Sequence, residues 1–393
     1  MAIPSDARLS FGTFLAPYHA SDENPTLSLE RDLELIELVD RLGFDEAWVG
    51  EHHSTGWETI ASPEIFLAVA SQRTRHIRLG TGAISLPYHH PLMVADRVVL
   101  LDHLTRGRLM LGVGPGGHIT DGMMLGIDPV RLRPMMEESL EVVMRLLTET
   151  EPITHYGGWF QLHDALIQLR PYQRPYPPLF VTSMESPAGP RLAGRYGAGI
   201  LSLSVAKATG GTAPLAAQWA VAEEEAERAG TSVRREDWRL VIQVHLAETR
   251  KEALDQARDG SARFLLEYAE GTTGRPSPVP GPPEKIVEQM AERGSWIVGT
   301  PDDLVEAIER LWEISGGFGG LLVWAHEWAS TEATRRSYEL LARYVMPLFQ
   351  GSLAGLQASN ALARARHEEI HRARSSATEL AKEAYGSTGA PRP

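Results

Sequence analysis

From Leu9 to about Tyr344 the chain alternates short, β-rich apolar runs with longer segments of helical period, and it does so eight times. This is the pattern of a parallel sheet whose strands are connected by helices. Eight units in a row within 393 residues point to an α/β fold, a (β/α)8 TIM barrel with insertions and a C-terminal helical extension. A doubly wound open sheet shares the alternation, so the pattern by itself leaves both architectures standing.

The first unit is the clearest. Leu9–Leu15 reads as a strand, Leu29, Leu33, Ile36, Val39 and Leu42 mark one face of a helix, and Gly43 stops it before a second strand, Phe44–Val49. Ser62-Pro63-Glu64 opens the next helix with a capping serine, a proline at the first helical position and an acid in the first turn. Strands three to eight are expected at Ile77–Ala83, Leu109–Val113, Leu179–Thr182, Gly199–Ser204, Leu240–Leu246 and Leu321–Trp324. Three stretches break the rhythm. Ile153–Pro178 is an insertion whose Tyr156-Gly157-Gly158-Trp159 reads as a hairpin turn. Gly271–Pro283 is so rich in Pro, Gly and Ser that it predicts an unpacked, mobile loop or lid. Residues 351–393 predict a peripheral, partly flexible helical tail beyond a barrel of residues 1–350.

Composition narrows the function. A net charge of −13 gives no basic field for a nucleic acid. The absence of cysteine removes thiolate nucleophiles, thiolate metal sites and disulfides, and suits a reducing compartment. No signal peptide or membrane span is evident, so a cytoplasmic protein without a membrane partner is expected.

In a barrel, side chains at the carboxyl ends of the strands converge on one mouth. After strand two stands Glu51-His52-His53, groups able to handle protons near neutral pH. Alone, that doublet reads more readily as surface or cap histidines. Strand three ends in Thr81-Gly82-Ala83-Ile84, small residues that let a flat ring approach the backbone or simply pack closely. Strand four ends in Gly112-Val113-Gly114-Pro115-Gly116-Gly117, a literal GxGxxG. Pro115 within the turn and the lack of a strand ending in an acid about 20 residues on argue against a dinucleotide fingerprint. After strand five, Thr182 to Gly189 leads into a helix from about Pro190, and its free backbone NH groups suit a phosphate as well as a plain cap. Trp324-Ala325-His326-Glu327-Trp328 closes strand eight. With Trp57, Tyr88 and Trp159, these aromatic groups suit either a bulky apolar or aromatic substrate or a capped core. His367-Glu368-Glu369-Ile370-His371 fits HExxH, but it lies in the charged tail with no third ligand nearby, and no metal is expected there.

Four stretches together resemble the bacterial-luciferase-like flavin monooxygenases, in particular the limonene-monooxygenase-like branch. They are GEHHSTGWETIASPE (50–64), IRLGTGAISLPYHHPLMVADRVVLLDHLTRGRLMLGVGPGG (77–117), PLFVTSMESPAGPRLAGRYGAGILSLS (178–204) and VGTPDDLVEAIERLWEISGGFGGLLVWAHEWA (298–329). The resemblance implies that His52 is the catalytic histidine with Glu51 beside it, and that Gly82-Ala83 forms a non-proline cis peptide backing the flavin. It implies that FMN contacts Gly82, Ala83, Gly114, Gly116, Ser183, Glu185, Ser186 and Gly189. Trp57, Tyr88, Trp324 and His326 are the expected substrate pocket. Luciferases carry a reactive cysteine and then an arginine where this chain has Gly114 and Pro115. Light emission is therefore not implied, and Arg191 becomes the candidate cation for the phosphate. The implied chemistry has two components: a flavin reductase supplies reduced FMN, oxygen makes a flavin 4a-hydroperoxide, and one oxygen atom enters a small organic substrate by epoxidation, hydroxylation or Baeyer-Villiger insertion. A homodimer is expected. A deazaflavin-dependent dehydrogenase and a catalytically silent flavin-binding subunit are the alternatives on the same barrel.

Overall fold

The computed structural model describes residues 3, 8–16, 18–184, 186–203 and 215–387. Eight parallel strands form the sheet: β1 (Ser10–Leu15), β2 (Glu46–Val49), β3 (Arg78–Thr81), β4 (Leu109–Gly114), β5 (Leu179–Ser183), β6 (Gly199–Ser202), β7 (Trp238–Ile242) and β8 (Gly320–Ala325). Each strand pairs with its neighbours in sequence, β8 returns to β1 with Gly320 opposite Ser10, and pairing of Leu79 with Leu109 joins β3 to β4. No edge is left open among these strands, so the sheet is a closed barrel and not a doubly wound one.

Local chemistry explains the units. The helix Pro25–Leu42 starts at Asn24, whose side chain accepts from the Thr26 and Leu27 amides, and stops at Gly43, where φ of 83° suits glycine. Its buried Leu33, Ile36 and Val39 pack against the outer face of the strands. The inner face carries Phe14, Trp48, Met110, Phe180, Leu201, Val241 and Leu322, because side chains alternate across each strand. Trp48 is fully buried, and a Cβ on Gly80 would lie 2.2 Å from its ring, so glycine on the adjacent strand makes room for the indole. At the amino end of the barrel, Arg239 on β7 donates to Glu46 on β2 at 2.6–3.0 Å, and the Trp48 indole NH donates to the same carboxylate at 2.9 Å.

Some strand boundaries change, while the Gly82-Ala83 cis peptide and the hairpin within the Ile153–Pro178 insertion stand as expected. Strand three stops at Thr81; a cis peptide joins Gly82 to Ala83, and Ile84–Ser85 then pairs with β4. Strand seven is split at Gln243: Val244–Leu246 leaves the barrel to pair with Ile297–Gly299. The Ser62 hydroxyl donates to the Glu64 carboxylate and makes no capping bond to the backbone. The Ile153–Tyr156 and Gln161–Ala165 strands form the hairpin around Gly157. Strand six is described to Ser202, and Ser204 lies outside the described residues.

The Gly271–Pro283 segment is not the unpacked loop its composition suggests. Its first residues complete a helical stretch, Arg250–Arg263 followed by Phe264–Thr272 of π-helical pitch. Val279 is buried in a satellite core with Ile286, Val287, Trp296 and Trp328, and Arg293 donates to the Pro278 carbonyl at 2.6 Å. A few apolar residues within a Pro-rich run are enough to anchor it.

The chain divides into two compact units, Met1–Phe349 and Gln350–Pro393. The second contains the exposed helices Ala354–Ala365 and His367–Ser387. The HExxH residues stand on the latter, and among the described residues no further histidine or carboxylate joins them as a ligand set. No described helix is long and apolar enough to cross a membrane.

Candidate active site

Beyond β2 the chain turns at Gly50, whose amide bonds the Leu15 carbonyl, and this places Glu51 and His52 over the mouth. Glu51 is buried, and both oxygens are engaged: Oε2 accepts from the Ser85 amide at 2.7 Å, and Oε1 meets His53 Nε2 at 2.8 Å and His89 Nε2 at 2.5 Å. Burial works to raise its pKa, but these two imidazoles and the amide hold it below the usual carboxylate value. Glu51 is therefore an anchoring carboxylate that ties the turn after β3 to the turn after β2. His53, whose role the sequence left open, belongs to that anchor.

His52 sits between two further carboxylates. Its Nδ1 lies 3.1 Å from Asp121 Oδ2, and its Nε2 lies 3.5 Å from Glu58 Oε1. Burial opposes its charge, yet Glu58 and Asp121 raise its pKa above the ordinary histidine value. Asp121 also accepts from the His53 amide and the Ser54 hydroxyl. Despite burial, these bonds, led by His52's, lower its pKa to about 2. The second Glu58 oxygen meets His118 Nε2 and accepts from the Tyr268 hydroxyl at 2.6 Å, and the His118 ring packs 4.2 Å from that of His52.

None of Glu58, His118, Asp121, Arg133 and Tyr268 was singled out from sequence. Glu58 lies inside a stretch that carried the family resemblance, and His118 and Asp121 directly follow the glycine turn of β4. Tyr268 has no such local signal.

The depressed Asp121 value carries a consequence for stability. A folded pKa below the unfolded one contributes stability above about pH 4 that is lost as pH falls toward 2. Acid unfolding of Asp121→Asn is therefore expected to show a flatter pH dependence than wild type between pH 4 and 2. Equal slopes in parallel denaturant titrations would contradict this.

Glu51 and His52 line a cleft of about 280 Å3 together with Gly82, Ala83, Gly114, Gly116, Gly117, Ser186 and Gly189. A Cβ on Gly114 would lie 2.8 Å from Thr182 Oγ1 and 3.6 Å from the Ala83 Cβ, so its absence keeps the floor between those residues open. At one end begins the helix Ala188–Tyr196, two residues earlier than expected, with Pro187 before it and no side-chain cap. Ala188 and Gly189 lie on the lining, and their amides, in the first turn of the helix, have no intrahelical acceptor, a geometry able to receive an anion. Arg133 and Glu137, both exposed, lie on the same lining. Arg191 does not line the cleft; its Nε lies 3.8 Å from Glu225. Ser183 is also off the lining, for its hydroxyl donates to Gln218 at 3.1 Å. Glu185 lies outside the described residues.

The four residues expected to form a substrate pocket are not on this lining. Trp57 stacks on Tyr18 at 5.5 Å and donates to Thr272 Oγ1 at 3.1 Å. The Tyr88 hydroxyl fills the space beside Gly116, 2.2 Å from where a Cβ would stand. Trp324 joins the interior aromatic cluster, 5.9 Å from Phe14. His326 lines a second cavity of about 290 Å3 with Tyr18, Arg31, Asp32 and Arg335, stacks on Trp328 at 3.8 Å, and is pushed down to about 3 by burial.

Two trios, Glu51/His53/His89 and His52/Glu58/His118, bring ligand-type atoms within 4.8 Å of one another.

A model of the luciferase-like monooxygenase family matches residues 9–317. The chain is 51% identical over 355 residues to 4-hydroxyprotoasukamycin monooxygenase of Streptomyces nodosus subsp. asukaensis, covering 90% of this chain and 95% of that one. It is 46% identical over 346 residues to limonene 1,2-monooxygenase of Rhodococcus erythropolis, covering 88% of each. Among solved structures, the oxygenating constituent of 3,6-diketocamphane monooxygenase from Pseudomonas putida, in complex with FMN, superimposes with a TM-score of 0.73 at 25% identity. That match covers 86% of this chain and 98% of that one. With most of the barrel matched by the family model and nearly the whole of two monooxygenases aligned, the chain belongs to the luciferase-like monooxygenase family.

Proposed function

We propose that this protein is the oxygenating component of a two-component enzyme, which takes reduced FMN from a separate flavin reductase and uses molecular oxygen to oxygenate a bulky apolar or aromatic substrate. The observation that carries the reading is the cleft that joins His52, held between the Asp121 and Glu58 carboxylates, to a glycine-lined floor and a helix N-terminus. A flat, phosphate-bearing cofactor needs those last two features. Reduced FMN, when bound, supplies the electrons for oxygen activation. The chain's own groups do the rest. Ser186, the Ala188 and Gly189 amides and Arg133 would hold the phosphate. Glu51 fixes the backbone after Ala83 through the Ser85 amide. Met136, Leu192 and Leu203 make the cleft wall apolar, which disfavours water and suits an apolar substrate. His52 holds a proton at Nε2 for the reacting oxygen.

Named relatives that oxygenate limonene and a diketocamphane support the substrate class, and the solved relative described as an oxygenating constituent with FMN supports the two-component reading. Product analysis tests it: with NADH, FMN and a flavin reductase, oxygenated products should form from at least one member of a panel of terpenes, cyclic ketones and polycyclic aromatics. A panel without products, under conditions where the protein binds reduced FMN, would sink the reading.

The cation is separately testable. A charge-assisted hydrogen bond contributes about 1.5–3 kcal/mol, so Arg133→Ala should weaken reduced FMN binding roughly tenfold or more, and the loss should shrink at high salt. Anaerobic fluorescence titration reads the effect, and unchanged affinity would remove Arg133 from the site.

A further inference from the structure

The excursion between β7 and β8 sends one polar side chain into the network behind His52. The helix Arg250–Arg263 runs on into the π-helical Phe264–Thr272, which carries Tyr268. Extra-wide turns of this kind recur at functional sites. Tyr268 is only 7% exposed, and three rings hold its own: Tyr18 at 5.2 Å, Phe264 at 5.6 Å and Trp57 at 6.1 Å. The Trp57 bond to Thr272 ties the same π-helical stretch to the loop after β2.

Its hydroxyl donates to Glu58 Oε2 at 2.6 Å and lies 3.1 Å from His118 Nε2, while Glu58 Oε1 faces His52 Nε2 at 3.5 Å. One carboxylate thus gives one oxygen to Tyr268 and His118 and the other to His52. With Oε2 held by the Tyr268 hydroxyl beside His118, Oε1 is left facing His52.

We propose that Tyr268 is a positioning residue: its hydroxyl orients Glu58 so that the carboxylate keeps the His52 proton in place, and docking of the β7–β8 excursion thereby completes the proton-holding site. The proposal rests on the role given to His52 above. Burial, and then the charge of Glu58, keep the phenol protonated, so Tyr268 acts as a hydrogen-bond donor and not as a proton carrier. The other groups that face this network are Glu51 and Asp121 beside His52, His118 against both, and Tyr18 and Arg275 near Tyr268.

The test is an NMR titration of the His52 imidazole in flavin-free protein, its signal assigned by loss in His52→Gln. Tyr268→Phe keeps the ring and its packing, so a purely structural tyrosine predicts no change. The expected result is a fall in His52 proton affinity of at least threefold in Tyr268→Phe, and a larger fall in Glu58→Gln, which keeps the side-chain volume. An unchanged midpoint in Tyr268→Phe overturns the proposal, as does an unchanged midpoint in Glu58→Gln. Should Tyr268→Phe fail to fold, Glu58→Gln decides from the other side of the bond. Because no flavin is present, the titration stands or falls separately from product formation.

Discussion

Replacing His52 with alanine is expected to lower oxygenated product by about 10²- to 10⁴-fold, the range that a positioned acid or base contributes, while reduced FMN still binds and oxygen is still consumed. The reason is spatial. His52 and Glu51 follow β2, whereas Ala188 and Gly189 follow β5 and Arg133 follows β4, so the groups proposed to hold the cofactor survive the change. What is lost is the imidazole that stands between Asp121 and Glu58 and that is proposed to handle the proton. Electrons should then leave as hydrogen peroxide in place of product. Because alanine strands two buried carboxylates, His52→Gln is the necessary companion: it can still donate to one of them, and should uncouple with less loss of stability. The measurement is product and hydrogen peroxide per flavin oxidised, and a wild-type ratio in both variants would show that His52 handles no proton.

The second large effect concerns stability. Glu46 and Arg239 are both buried inside the barrel, and three hydrogen bonds link them. Burial raises the Glu46 pKa and lowers that of Arg239, but their mutual attraction outweighs it in both, so the two stay charged. Glu46→Gln leaves a guanidinium without its counter-charge in the barrel interior, and breaking such a pair costs about 3–5 kcal/mol. Replacing both by apolar residues of similar volume should recover much of that loss, since the pair's own desolvation penalty disappears as well. Urea unfolding of Glu46→Gln, Arg239→Met and the double variant reads the cycle. Single variants within about 1 kcal/mol of wild type would mean that water reaches the pair.

Much of this protein was legible before folding was considered. The alternation of strands and helices is a local signal, and it located all eight barrel strands to within a few residues. Convergence of the strand ends is a necessity of the barrel, so strand boundaries together with the family resemblance brought Glu51, His52, Gly82, Ala83, Gly114, Gly116, Ser186 and Gly189 to one cleft. Placement departs from expectation where a residue's phase on its strand mattered. Thr182 and Ser183 are adjacent on β5, so they face opposite sides of the sheet; threonine lines the cleft and serine turns to Gln218. At β8 the expected pocket divides between the barrel interior, which takes Trp324, and a second cavity, which takes His326.

The sequence by itself determined the succession of strands and helices and the residue types at the strand ends, because both are local. The family resemblance of four stretches favoured the closed barrel and singled out His52. Only the tertiary structure decided what surrounds that histidine. Asp121 lies 69 residues from His52, and Tyr268 lies 210 from Glu58. No local pattern records such pairs, since bonds of about 3 Å depend on how whole loops pack against one another. The same packing turned Glu51 from a candidate proton carrier into an anchor, by placing two imidazoles and a backbone amide on its oxygens.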